Sequence, residues 1–150
     1  MLVIAATGCA RDSDSGPAAS SGSDQVELSG SLTAKYDGQE LLDALEVGIL
    51  SQAKFDDLTS GGEPCPDEID MPGGFAEGTD VTVRNGDGQT LAVGSLADSR
   101  FTTTSGPECI FEFEVAWDDD GSEFFEVEIG GLTEALNRDE VSERLHLEAR

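Results

Sequence analysis

Apolar residues fall on alternate positions twice between residues 109 and 129. In the run 109–117, Cys109, Phe111, Phe113, Val115 and Trp117 share one face of an extended strand, and Glu112 and Glu114 occupy the other. In the run 123–129, Phe125, Val127 and Ile129 point one way and Glu126 and Glu128 the other. A turn about Asp120 would fold the two runs into one hairpin, with Phe111 opposite Ile129, Phe113 opposite Val127 and Val115 opposite Phe125. The same register brings Glu112 to Glu128 and Glu114 to Glu126.

Similar patterns mark the rest of the chain. Val26, Leu28, Leu32 and Ala34 alternate with polar residues around Gly30, which predicts a first strand with a bulge at the glycine. Residues 39–50 stay open between helix and strand. Leu41, Leu42, Leu45 and Ile49 recur at helical spacing, whereas Glu46-Val47-Gly48-Ile49 alternates. Residues 55–77 are rich in Asp, Gly, Pro and Ser, which predicts a long loop carrying Cys65 between Pro64 and Pro66; a loop of that length needs something to pin it. Residues 80–96 read as a second hairpin, with Asn85-Gly86-Asp87-Gly88 in the turn and Val81, Val83, Leu91 and Val93 on one face. Residues 101–104 suit a short edge strand. Asn137-Arg138-Asp139-Glu140 forms a capping box that opens one or two helical turns, and Leu145-His146-Leu147 makes a last strand. Six or seven short strands separated by turn signals predict an all-β fold, an antiparallel β-sandwich with one short C-terminal helix.

Charge narrows the choice of partner. The 150-residue chain carries 32 acidic residues against 8 basic ones, a formal net charge of −24. Such a field repels nucleic acid, which is excluded as a partner, and it repels anionic lipid surfaces while drawing cations inward. It also strains the folded state by self-repulsion, so a salt-rich habitat suits the chain.

The first residues add a location. Met1-Leu2-Val3-Ile4-Ala5-Ala6-Thr7-Gly8-Cys9 resembles a bacterial lipobox, an apolar run closing on small residues before a cysteine. In that family the cysteine receives a thioether-linked diacylglycerol, the residues before it are removed, and the new amino terminus is often acylated. The resemblance implies Cys9 as the lipidation site and the outer face of the cell membrane as the location. The run lacks a basic region and is shorter than the roughly 7–15 apolar residues of a signal segment, so either the true start lies upstream of Met1 or the run is not a signal. Residues 10–24, mostly Ser, Gly, Ala and Asp, cannot offset their ordering entropy and are expected to form a flexible tether. The expected organisation is thus 1–9 signal remnant and lipobox, 10–24 tether and 25–150 a single sandwich domain. Further along, a cysteine-bearing loop, Gly73-Gly74-Phe75, Val81-Thr82-Val83-Arg84, Cys109-Ile110-Phe111-Glu112-Phe113-Glu114-Val115 and Phe125-Glu126-Val127 together look like the small surface lipoproteins of actinobacteria. That resemblance spans residues 65–147 and implies a location and a sandwich of transthyretin or immunoglobulin type, with no activity attached.

With Cys9 lipidated, Cys65 and Cys109 are the two remaining thiols of an extracytoplasmic protein and are expected to form a disulfide. That bond would tie the long loop to the core. No metal site is assigned, because neither thiol has a second ligand at metal spacing and Asp118-Asp119-Asp120-Gly121 fails the spacing of a calcium loop. Glu112, Glu114, Glu126 and Glu128 are the candidate ligands for a divalent cation or a docked basic protein; in the plainer reading solvent and salt neutralise them. His146, the sole histidine, is expected at the surface, and Trp117 with Tyr36 is weighed as a sugar-stacking pair against a core role for Trp117. No nucleophile elbow, zinc-helix or nucleotide-binding glycine motif occurs, and no cofactor is expected. The chain therefore reads as a membrane-anchored extracytoplasmic binding or interaction module, not an enzyme. A carboxylate-dependent secreted hydrolase and a halophilic cytosolic protein with free thiols are the alternatives.

Overall fold

A computed structural model describes residues 24–71 and 73–149. Eight strands form two four-stranded sheets that enclose one core: β1 (Gln25–Lys35), β2 (Asp80–Asn85), β3 (Thr90–Ser95), β4 (Ala97–Thr102), β5 (Glu108–Asp118), β6 (Phe124–Ile129), β7 (Leu132–Asn137) and β8 (Leu145–Ala149). The first sheet has the order β4-β5-β1-β8 and the second β3-β2-β6-β7. All pairs are antiparallel except β1 with β8, which run parallel. The all-β sandwich expected from the alternation is the fold.

The hairpin expected over residues 109–129 does not form. β5 pairs with β1 and β4 in one sheet, whereas β6 pairs with β2 and β7 in the other. Alternation specifies which residues face inward but not which strand lies beside which. Phe111, Phe113, Val115 and Trp117 from β5 and Phe125, Val127 and Ile129 from β6 are all buried, and they meet across the core instead of along a shared edge. Trp117 and Phe125 show this directly, with ring centroids 5.5 Å apart and planes tilted by 54°.

Three smaller departures have local causes. β1 pairs with β5 without interruption, so Gly30 is not a bulge. It is required because a Cβ there would stand 2.5 Å from Cζ of Phe113 and 2.6 Å from the Leu145 carbonyl oxygen. In the β2–β3 hairpin the register shifts between Val83 and Arg84, since Val83 faces Ala92 while Arg84 faces Thr90. Leu91 is the extra residue, and one extra residue turns the rest of β3 over. Val93 therefore lies opposite Thr82 on the outer face and is 59% exposed, contrary to the expected inward position. β7 follows a two-residue Gly130-Gly131 turn in which both glycines have positive φ, 54° and 92°, the conformation that closes tight hairpins.

Helix is more abundant than expected. The open stretch is helical as α1 (Gly38–Glu46), with the Asp37 side chain accepting from the Gln39 N–H and Leu41 and Ala44 buried. A second helix, α2 (Gln52–Ser60), occupies the start of what the composition suggested was loop. Ser51 caps it by accepting from the Lys54 N–H, and Leu58 anchors it to the core. α3 (Arg138–Val141) has the expected capping box between Asn137 and Glu140.

Candidate functional site

The segment after α2 is where loop, cysteine and sheet edge converge. β4 lies at the edge of its sheet, and its unpaired backbone groups are met by this segment: the Phe101 N–H donates to the Glu63 carbonyl at 2.8 Å. The Cys65 N–H donates to Oγ of Ser99 at 3.3 Å, and the Ser99 N–H donates to Oε1 of Glu77 at 2.9 Å. Ser99, through its side chain first and its N–H second, holds the Glu77 carboxyl below its ordinary range. Cys65 stands at disulfide-bonding distance from the fully buried Cys109 of β5, Cα to Cα 5.9 Å, across a separation of 44 residues. The pin that a loop of this length requires is thus the expected cysteine pair.

Ile69, Met71 and Phe75 from this loop are buried, so it packs down over the sandwich. A cleft of about 540 Å³ lies under it, lined among others by Tyr36, Lys54, Asp67, Asp70, Phe75 and Phe111. That volume lies within the usual range for small-molecule sites. Tyr36 is 5% exposed, its ring rests against Phe101 with centroids 5.9 Å apart, and its buried hydroxyl makes no hydrogen bond among the described residues. Burial, followed by the negative charges of Asp67, Glu40 and Glu68, pushes its phenol up to about 12. Tyr36 and Trp117 do not form a stacking surface: both are buried, and they pack against different partners. Nothing in the alternation pointed to this cleft, because its walls come from a loop and its floor from the mouth of the core.

The four glutamates do not make one face. Glu112 and Glu114 lie on the outer side of the first sheet, Glu126 and Glu128 on the outer side of the second. Two sheets that turn their apolar faces toward each other must turn their polar faces apart. Arginines answer three of the four carboxylates. Arg84 on β2 lies directly opposite Glu126, 3.5 Å away, and also pairs with Glu128. Arg144 reaches across β1 to Glu112. Among the described residues no group of three or more His, Cys, Asp or Glu side chains is arranged to hold a metal ion.

Beneath the Arg144–Glu112 pair, Oγ of Ser31 and Nδ1 of the exposed His146 are hydrogen-bonded at 2.8 Å. Ser31 is buried although it points outward, lying between Glu112 of β5 and His146 of β8 in the sheet register. The Asp118–Asp120 segment is an arch between sheets, organised by its own side chains. Asp119 accepts from the Gly121 N–H and pairs with Arg138; Asp120 accepts from Nδ2 of Asn85 at 2.9 Å and from the Ser122 N–H and hydroxyl. Arg138 and then the Gly121 N–H hold the Asp119 carboxyl below its ordinary range, and Asn85 and then Ser122 do so for Asp120.

Cys9 lies outside the described residues, as do residues 10–23 of the expected tether; the carbonyl of Asp24 accepts from the Asp119 N–H at 2.8 Å. Among the described residues no helix is long and apolar enough to cross a membrane. Fold and site together define a β-sandwich whose longest loop is fastened to its core by a cysteine pair and overhangs a cleft. No family model matches the chain, and neither a curated protein nor a solved structure does.

Proposed function

We propose that the chain is a lipid-anchored, extracytoplasmic binding or interaction module, of the small bacterial surface lipoprotein kind, and that it performs no catalysis. The observation that carries this reading is the Cys65–Cys109 pair at bonding distance. Two of the three cysteines are then accounted for as a bridge that persists only in an oxidising compartment, and the third, Cys9, sits in the lipobox-like run. Acyl chains on Cys9 would hold the sandwich at the membrane surface, since two or more give durable attachment where one is marginal. The tether after Cys9 keeps a strongly acidic domain clear of anionic lipid headgroups. Ligand and partner capture is then the work left to the loop cleft and the arginine-braced faces.

Mass spectrometry of the protein from membranes of its native host tests this. The expected amino terminus is a diacylglyceryl Cys9, with Cys65 and Cys109 resistant to alkylation until reduced. An intact Met1–Gly8 segment together with three alkylatable thiols overturns the reading in favour of a cytosolic protein. A screen of glycosidic and ester substrates tests the absence of catalysis, and turnover that disappears when one acidic pair is neutralised would count for a hydrolase.

A further inference from the structure

We propose that the cleft beneath the Cys65 loop binds a small organic cation, an amine with an apolar body, its ammonium at the Tyr36 hydroxyl and Asp67 and its body against Ile69, Phe75 and Phe111. The proposal does not depend on the lipid anchor. Three observations converge on it. First, the cleft of about 540 Å³ is lined by apolar side chains that the loop has already buried, so a ligand's apolar part meets a preformed wall. Second, Tyr36 is among the residues that line the cleft, and its hydroxyl is buried and makes no hydrogen bond among the described residues. A buried hydroxyl without a partner costs free energy that a ligand donor recovers on binding. Third, the charges around the cleft favour a cation. Asp67 and Asp70 are exposed at its rim and Glu77 is occupied by Ser99, against the single cation of Lys54. The charge of Asp67, like those of Glu40 and Glu68, is felt at the Tyr36 hydroxyl.

The neighbouring cleft of about 620 Å³ shares Phe75 but is lined by Lys35 and Glu148, charges of opposite sign, and no buried polar atom without a partner is among its residues. The exposed Leu42, Val47 and Ile49 around the end of α1 form an apolar strip with nothing to indicate what covers it.

Titration of the full chain with phenethylammonium at fixed ionic strength, followed by amide chemical shifts, tests the proposal. Saturable binding is expected, with shifts centred on Tyr36 and residues 65–77. Tyr36→Phe and Asp67→Asn each lose a hydrogen bond made to the charged ammonium, and each should weaken it about tenfold. Glu134→Gln, on the exposed side of β7, should leave it unchanged and so separates the site from the diffuse field of the acidic chain. Neutral 3-phenylpropanol should bind about tenfold more weakly than the amine. Both cleft variants retain the fold, because one removes an unpartnered hydroxyl and the other an exposed carboxylate; melting curves check this. Absence of saturation overturns the proposal. So does equal weakening by Asp67→Asn and Glu134→Gln, or tighter binding of 3-phenylpropionate that is lost in Lys54→Gln.

Discussion

Gly30 shows how much one residue decides. Its missing Cβ is what lets β1 receive the Phe113 ring on one side and the β8 backbone on the other. Flexible side chains yield to a methyl group, but the Leu145 carbonyl belongs to the sheet itself. Gly30→Ala is therefore expected to cost about 1–3 kcal/mol as an overpacked position, measured by denaturant unfolding, with the loss concentrated in protection of the β8 amides from hydrogen exchange. Asp120 carries a second expectation, about acid. Its folded carboxyl is held below the ordinary range by Asn85 and Ser122, so the stability it contributes is full above the unfolded value and is lost as pH falls through the lower, folded one. Asp120→Asn should accordingly flatten the decline in unfolding free energy below about pH 4, leaving the neutral region with less stability than the native chain. An acid limb of unchanged slope in that variant would show that the arch does not govern it.

Strands and helices differ in how legible they were. The faces of β1, β5 and β6 can be read directly from alternation, and every apolar residue assigned inward on β5 and β6 is buried. Their partners cannot be read this way. The stretch Asp119 to Glu123 is short enough for a hairpin loop and equally able to arch between sheets, and Trp117 and Phe125, which meet across the core, have the same pattern in either arrangement. β7 was hidden because Leu132-Thr133-Glu134-Ala135-Leu136 has helix-forming residues, although Gly130-Gly131 ahead of it is a hairpin signal. α2 was masked by the Asp and Ser around it; its markers are the Ser51 cap and the Phe55 and Leu58 spacing. The bulge at Leu91 has no composition signal at all, which is why alternation alone puts Val93 on the wrong side. The cysteine pair was legible from counting thiols, whereas the cleft beside it needed the loop's packing.

At the scale of the molecule, two forces oppose each other. A net charge of −24 pushes the surface apart, and the shared core together with the Cys65–Cys109 clasp holds it. Reduction should therefore remove a large share of the stability: for a separation of 44 residues the chain-entropy relation gives about 4 kcal/mol, to be measured as the difference in unfolding free energy with and without reductant. The repulsion is long-ranged and screened, unlike the core. Raising monovalent salt from about 0.01 M to 1 M shortens the screening distance from about 30 Å to 3 Å, and the melting temperature is expected to rise along that series. A melting temperature indifferent to sodium chloride would mean that the arginine pairs on the two outer faces already neutralise the charge that matters.

The parallel partnership of β1 and β8 sets the order of assembly. Ser31 and His146, hydrogen-bonded neighbours on these strands, stand 115 residues apart in the chain. During synthesis β1 emerges before β8 and keeps one side open until β8 has followed it. Nascent chains stopped before Leu145 should consequently remain protease-sensitive and cluster through that bare side. A strand that waits so long for its neighbour stays open to a wrong partner for as long as it waits.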